Sequence, residues 1–387
     1  MAGTRVAVLA VALLFAAGCG ATGATINVEP HISAADEQVR IAASHLPKHA
    51  AVSARVSATD AANVAWAAVV NLRTGADGTV RVPARAIADM QPVGSSAAFF
   101  AWPSTGTVRF HVSVSGGGAN ARAVFDRSRL AQPVVERPVT LARDGVAGRF
   151  FAPAHPARDV PALLLFGGSE GGLAPYGLAI ARTIASHGID VLDIAYWRYP
   201  GLPPSLDRIP LEYFARGLRL LARHPGVDPR HVDVEGISYG SEAALLLGVH
   251  YPSLVHGVVA SVPSNLATEC YGGRCNGIDP AWTYGGRDIP AFSPIPVERI
   301  PGRIFAICGT KDLIWPSCPQ AQAIVARRRA HHVRPIDVLV VARGAGHYVG
   351  SWIPYGIYRH DPGDLQFAGD EAGAELVWPR LLAFLRG

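Results

Sequence analysis

The stretch from Val232 to Leu247 reads Val-Asp-Val-Glu-Gly-Ile-Ser-Tyr-Gly-Ser-Glu-Ala-Ala-Leu-Leu-Leu and constrains the fold more than any other. The alternating valines at its start predict a buried strand, and the helix formers from Glu242 onward predict a helix. The turn between them is Gly236-Ile-Ser-Tyr-Gly240, where a Cβ at either glycine would clash with its neighbours. Such five-residue turns also occur in ordinary proteins. The strand before and the helix after favour a nucleophilic Ser238, exposed above a helix N-terminus.

From residue 133 onward, apolar strands alternate with amphipathic helices, which predicts a parallel sheet covered on both faces. The expected strands are Ala162–Phe166, Ile189–Ala195, Val258–Val262, Arg303–Ile307 and Ile336–Val341. The expected helices are Tyr176–His187, one that begins at Pro210, one around Ala321–Arg329 and a last one over Asp370–Leu385, capped by Asp370. Val139–Phe151 is predicted to form a hairpin through Asp144-Gly145.

This order of elements predicts an α/β-hydrolase fold over residues 133–387. Residues 263–298 have no clear period and follow the strand after the Ser238 helix, so they are a candidate lid. Residues 25–132 contain short alternating runs such as Val52–Val56 and Val108–Val114, separated by turn signals. That pattern is typical of an immunoglobulin-like β-sandwich domain.

The N-terminus predicts an export signal. Residues 1–18 contain one basic residue, Arg5, and an apolar run from Val6 to Ala17 that is too short to span a bilayer. Ala16-Ala-Gly-Cys19 resembles the lipobox of bacterial lipoproteins, in which the cysteine is lipidated. We therefore expect an exported protein that Cys19 anchors to the membrane of the cell envelope, with ordinary secretion as the alternative.

Cysteine usage agrees with export. Besides Cys19 the chain has four cysteines, and an even number in an exported protein suggests disulfides. Cys270 with Cys275 and Cys308 with Cys318 is the simplest of the three connectivities, and buried free thiols are the alternative. The net charge of +5 comes from scattered arginines. Because no basic stripe is interleaved with aromatic residues, we expect no nucleic-acid partner.

A serine nucleophile needs a histidine to take its proton and a carboxylate to orient that histidine. In this fold class the chain order is serine, acid, histidine, each on a loop after a strand. Asp312 follows a predicted strand and the turn glycine Gly309, whereas the other downstream acids do not. His347 follows the next predicted strand on a glycine-rich loop. We expect these two residues to complete a triad with Ser238, without a cofactor or a metal.

The oxyanion that forms during acyl transfer needs two backbone N–H donors. One is expected from Tyr239, directly after the nucleophile. The other is expected from Gly168 or Ser169, in the loop Leu165-Phe-Gly-Gly-Ser-Glu-Gly-Gly172. The same glycines suggest a phosphate-binding loop, but the G-x-G-x-x-G spacing and the lysine of a P-loop are missing.

The residues resemble the acyl-CoA thioesterase and bile acid-CoA:amino acid N-acyltransferase family. The resemblance runs in order through the loop at 166–173, the segments at 195–203 and 209–214, the Ser238 turn, Trp315-Pro-Ser317 and Gly344-Ala-Gly-His347. It implies an acyl thioester as substrate and an acyl-enzyme on Ser238. Family members that transfer the acyl group to an amino acid carry cysteine at the nucleophile, so serine implies hydrolysis.

Three alternatives remain at this stage. The same triad would serve a carboxylesterase or an acyltransferase that acts on another acyl ester or thioester of the cell envelope. A peptidase of the prolyl oligopeptidase type would need a propeller, for which residues 25–132 are too few. A binding lipoprotein that kept the fold without turnover ranks lower, because serine, aspartate and histidine are all present.

Overall fold

The computed structural model describes residues 23–155, 157–273, 275–334, 337–350, 353–361 and 364–387. The predicted signal peptide and Cys19 lie outside these residues. Among the helices of the described part, none has the length and apolar character that a membrane span requires.

Two β-sheets that share one core form the N-terminal region. In the longest strands buried and exposed side chains alternate, as in Ala51–Thr59, because one face of each sheet is turned inward. Trp66, Phe110 and Val28 meet in the core between the sheets. The strands are Thr25–Glu29, Ile32–Ala34, Arg40–Ser44, Ala51–Thr59, Ala65–Arg73, Val80–Val82, Gln91–Pro92, Thr107–Gly116 and Ala119–Ser128, with a 3₁₀ turn at Ala84–Ala86.

The larger region is built on an eight-stranded sheet. We number its strands in chain order as β1 Val134–Val139, β2 Ala147–Pro153, β3 Val160–Phe166, β4 Asp190–Ala195, β5 Val227–Ile237, β6 Gly257–Ser261, β7 Arg303–Gly309 and β8 Val338–Ala342. Their spatial order is β1-β2-β4-β3-β5-β6-β7-β8. Strand β2 is antiparallel to β1 and β4, and all later pairs are parallel. This is the α/β-hydrolase fold that the sequence predicts.

Five helices cover the sheet. They are α1 Pro175–Ser186, α2 Leu211–Ala222, α3 Tyr239–His250, α4 Ser317–Ala330 and α5 Leu365–Leu385. One apolar cluster lies on each face of the sheet, with Leu164 and Val234 in the first and Leu163 and Val259 in the second. This placement follows from the alternation of side chains along a strand. The remaining short elements are the helical turn Leu141–Asp144, the strands Ile209–Pro210, Leu266–Ala267, Trp282–Tyr284, Arg287–Asp288 and Ser293–Pro294, and the 3₁₀ turns Val297–Arg299 and His347–Gly350.

Two local predictions were wrong in detail. Helix α5 begins at Leu365 and is capped by Asp364, whose carboxylate accepts the N–H groups of Gln366 and Phe367. Asp370 lies inside that helix and has another partner. The predicted hairpin over Val139–Phe151 does form, but its strands are Val134–Val139 and Ala147–Pro153, and a helical turn joins them. The period of the apolar residues in a sequence does not distinguish a tight turn from a single turn of helix.

Asp36 joins the N-terminal region to the larger one. Its side chain is 1% exposed, and Oδ2 lies 2.6 Å from His187 Nε2 at the end of α1. The same oxygen accepts the indole N–H of Trp378 from α5 at 2.7 Å. A buried carboxylate with two partners from the other region fixes how the two regions pack.

Candidate active site

Ser238 occupies a sharp turn between β5 and α3. Its φ is +58°, which is unusual for a residue with a side chain, and its N–H donates to Ser261 O at 2.9 Å. A Cβ on Gly236 would lie 2.0 Å from Gly240 O, and one on Gly240 would lie 2.3 Å from Gly167 O. Both flanking positions therefore require glycine, as the sequence predicts.

His347 links Ser238 to Asp312. Its Nε2 lies 3.0 Å from Ser238 Oγ, and its Nδ1 lies 2.8 Å from Asp312 Oδ2. The three side chains follow β5, β7 and β8, whose carboxyl ends meet at one edge of the sheet. The structure thus brings together the three residues that the chain order predicts. This arrangement can remove a proton from a serine hydroxyl and stabilise the imidazolium that results.

Asp312 is fixed in its ionised form. Burial alone would raise its pKa, but hydrogen bonds from His347 and from the N–H of Ile314 bring the pKa below the ordinary value. The disulfide Cys308–Cys318 joins the end of β7 to the first turn of α4 on either side of this loop. The second predicted pair, Cys270–Cys275, is also bridged. The carboxylate therefore stays charged and in place opposite Nδ1.

The loop after β3 lies against the Ser238 turn. A Cβ on Gly168 would lie 2.9 Å from the Ser238 Cβ and 3.3 Å from Tyr239 N. However, the Gly168 N–H donates to the Glu170 carboxylate at 3.0 Å, so it is occupied. Of the two predicted loop donors this leaves Ser169. The Tyr239 N–H lies at the start of α3, where a helix has no internal partner for it.

Two aromatic residues after β4 anchor that loop. The Trp197 indole N–H donates to Gly168 O at 3.1 Å, and the Tyr196 hydroxyl donates to Gly167 O at 3.0 Å. Glu170 accepts a hydrogen bond from the Tyr176 hydroxyl as well. Sequence reasoning did not assign these roles. The signals in the sequence were the position of Tyr196 and Trp197 directly after a buried strand and their place in the segment 195–203 that resembles the family.

Comparisons with known proteins show which proteins this chain resembles. Residues 209–272, which contain the Ser238 turn, match the family model described as BAAT / Acyl-CoA thioester hydrolase C terminal. Rat acyl-coenzyme A thioesterase 1 is 30% identical over 257 residues, or 60% of this chain. Mouse acyl-coenzyme A thioesterase 1 is 29% identical over 301 residues, or 70% of this chain and 69% of the mouse protein. The chain is thus similar to proteins of the BAAT and acyl-CoA thioesterase family.

The match to these relatives is partial, and the chain spans 58% of the length of the rat protein. Among solved structures, an esterase from Pyrobaculum calidifontis superposes with a TM-score of 0.43 at 17% identity, covering 66% of this chain and 86% of the esterase.

Asp370 supports the loop that carries His347. Its Oδ1 accepts the Gly346 N–H at 2.6 Å, one residue before His347, and its side chain is buried. The Lys311 N–H donates to Ala345 O at 2.8 Å and ties the same loop to the one that carries Asp312. Asp370 was expected to cap a helix, and no sequence signal pointed to this contact.

Glu242, one turn into α3, fastens the segment 263–298 to the Ser238 helix. Its carboxylate accepts the N–H of Thr268 at 2.9 Å and the indole N–H of Trp282 at 2.8 Å, and the Thr268 hydroxyl donates to it as well. Both partners lie in the segment predicted as a lid, whose role as a lid stays a prediction. Tyr271 of that segment packs on Tyr239, the residue after Ser238, with 5.4 Å between ring centroids.

The Glu242 carboxyl predicts a pH dependence of stability. Burial raises its pKa to about 8, so it stays protonated in the folded protein at pH values where the unfolded chain ionises. At pH values between the ordinary pKa of glutamate and about 8, unfolding therefore releases a proton. The free energy of unfolding falls as the pH rises through that range. Glu242→Gln removes this contribution while its amide oxygen can still accept the Thr268 and Trp282 N–H groups.

We expect Glu242→Gln to match the wild type near pH 5 and to exceed its free energy of unfolding at pH 8.5 by on the order of 2 kcal/mol. Urea unfolding at the two pH values measures this. Other buried acids such as Glu371 affect the variant and the wild type equally. The effect of Glu242 is therefore the difference between their free energies of unfolding. A variant less stable than the wild type at pH 8.5 would show that Glu242 is ionised in the folded state.

Proposed function

We propose that this protein hydrolyses acyl thioesters through a covalent acyl-enzyme on Ser238. The observation that carries the proposal is the hydrogen-bonded chain from Ser238 Oγ through His347 to Asp312, in a protein whose residues 209–272 match a thioesterase family model. The relatives are named acyl-coenzyme A thioesterases, which favours a coenzyme A thioester as the substrate.

In the first half-reaction Ser238 Oγ attacks the thioester carbonyl carbon, and His347 Nε2 takes the hydroxyl proton. The charge that develops on the carbonyl oxygen is stabilised by the backbone N–H groups of Tyr239 and Ser169. Asp312 stabilises the imidazolium through Nδ1. The C–S bond then breaks, His347 returns the proton to the thiolate, and the acyl group stays on Oγ as an ester.

In the second half-reaction a water molecule attacks the acyl ester, and His347 takes its proton. A second tetrahedral intermediate forms in the same oxyanion site. It collapses when the C–Oγ bond breaks and the proton passes from His347 to Ser238. The balance is one thioester and one water consumed, with one carboxylic acid and one thiol released.

The test compares thioesters with esters. Initial rates on acyl-CoA and on p-nitrophenyl esters of matched short, medium and long chains give kcat/KM for each. We expect the best acyl-CoA to exceed its matched ester about tenfold or more. Ester cleavage without thiol release would make the protein a carboxylesterase. Turnover of neither, without labelling by a fluorophosphonate, would leave only the binding-protein alternative.

We also propose that the protein is exported and lipidated at Cys19. The apolar run before Cys19 and the lipobox-like Ala16-Ala-Gly-Cys19 support this, as do the two disulfides, because disulfides persist in oxidising compartments. Membrane fractionation and mass spectrometry of the mature N-terminus test it. Wild type should be in the membrane fraction with a diacylglyceryl group, and Cys19→Ser should lose that group. An N-terminus that begins at Met1 would contradict export.

A further inference from the structure

Three potential metal ligands meet at the amino-terminal edge of the sheet, the edge opposite Ser238. His231 and Asp233 lie two residues apart on β5, so both side chains are on the same face of the strand. His256 directly precedes β6, the neighbouring strand, and its N–H donates to Val232 O at 2.9 Å. Two central strands of the sheet therefore supply the ligands.

The ligand atoms of the three side chains all lie within 4.8 Å of one another. His256 Nδ1 is 2.9 Å from Asp233 Oδ1, and His231 Nε2 is 3.7 Å from Asp233 Oδ2. The two imidazole rings are 4.2 Å apart between centroids. Within the described residues this is the only group of three or more such side chains.

Two of these atoms lack a partner. Asp233 Oδ2 and His231 Nε2 are buried and have no hydrogen bond within the described part of the chain. The Asp233 side chain is 1% exposed. A buried carboxylate oxygen without a partner costs free energy, and a bound cation would offset that cost.

We propose that His231, Asp233 and His256 bind a divalent transition-metal ion of the Zn²⁺ type. Two imidazoles and one carboxylate are a donor set that suits Zn²⁺ and disfavours Mg²⁺ and Ca²⁺, which prefer oxygen. His256 is 36% exposed, which provides an entry path and a position for water. Because Zn–N bonds are about 2.0–2.1 Å long, the exposed His256 ring moves inward on binding.

Neighbouring charges tune the site. The Arg303 charge repels a cation from the site, and the Asp228 charge attracts one. The ion would hold β5 and β6 together, remote from the triad.

The test is a Zn²⁺ titration of the chelator-treated, intact protein by calorimetry, with a thermal unfolding curve at each metal concentration. The wild type should bind one equivalent more than the double variant His231→Gln/His256→Gln, and Zn²⁺ should raise its unfolding temperature. Asp233→Asn and His256→Gln should each weaken binding at least about tenfold. Co²⁺ in place of Zn²⁺ should give a visible absorption band that both variants lose.

The chain offers a matched control. His224 and Asp190 form a pair at the same edge of the sheet, 3.1 Å between Nδ1 and Oδ2, with no third ligand among the described residues. His224→Gln should bind Zn²⁺ as the wild type does. Equal binding by wild type and the double variant would overturn the proposal. If Asp233→Asn does not fold, the exposed His256→Gln decides the question. Thiol release should not change in any of these variants, so the outcome is independent of the proposed activity.

Discussion

Ser238→Ala is expected to reduce kcat/KM on acyl thioesters by about 10⁵-fold or more and to abolish labelling by a fluorophosphonate. The Oγ atom is the proposed site of the acyl-enzyme, and alanine leaves nothing to be acylated. The fold should persist, because alanine meets the same positive φ as serine and Ser238 loses only its contact with His347. Rates of thiol release and gel detection of the label are the measurements.

The matched control is Ser241→Ala, one turn further along α3. Ser241 is buried, and its Oγ accepts the Ser264 N–H at 3.4 Å, so the substitution removes one weak hydrogen bond. It should label as the wild type does and stay within a few-fold in rate. If Ser238→Ala still labels, another residue is the nucleophile and the proposed mechanism is wrong.

His347→Ala is expected to reduce kcat by about 10³-fold or more with little change in substrate binding. Without the imidazole, neither the Ser238 hydroxyl proton in the first half-reaction nor the water proton in the second has an acceptor. Pre-steady-state measurement of thiol release separates binding from chemistry. His331→Ala, an exposed histidine at the end of α4, is the control and should behave as the wild type does.

The double variant Ser238→Ala/His347→Ala tests whether the two residues act together. Because the two residues are proposed to act as one unit, the second substitution should cost almost nothing once the first is present. The double variant should therefore be as slow as Ser238→Ala alone. Losses that multiply would show that the two residues act independently, which the 3.0 Å contact between them makes unexpected.

Some features of the candidate site could be predicted because they are local in the chain. The Gly236-Ile-Ser-Tyr-Gly240 turn is specified by its own glycines and by the strand and helix at its ends. Asp312 and His347 could be predicted because parallel strands present their carboxyl ends at one edge, so residues after successive strands meet there. The two disulfides could be predicted because each joins cysteines that are close together in the sequence.

Other contacts depend on how distant segments pack. Asp370 looked like a helix cap from its neighbours in sequence, whereas the tertiary structure turns it toward Gly346, 24 residues away. Glu242 was predicted only as the first of a run of helix formers, and in the structure it accepts hydrogen bonds from Thr268 and Trp282. A side chain that can serve several local roles is assigned one of them only by its neighbours in space.

The sequence by itself determined the α/β-hydrolase fold and the order of serine, aspartate and histidine, because hydrophobic period and turn residues encode both. The tertiary structure decided which atoms are available. In the folded chain the Gly168 N–H donates to the Glu170 carboxylate, which leaves Ser169 as the candidate oxyanion donor from that loop. It also placed His256 beside His231 and Asp233, because β5 and β6 are neighbours in the sheet. Hydrogen-bond partners and ligand clusters depend on distances that only the packed chain defines.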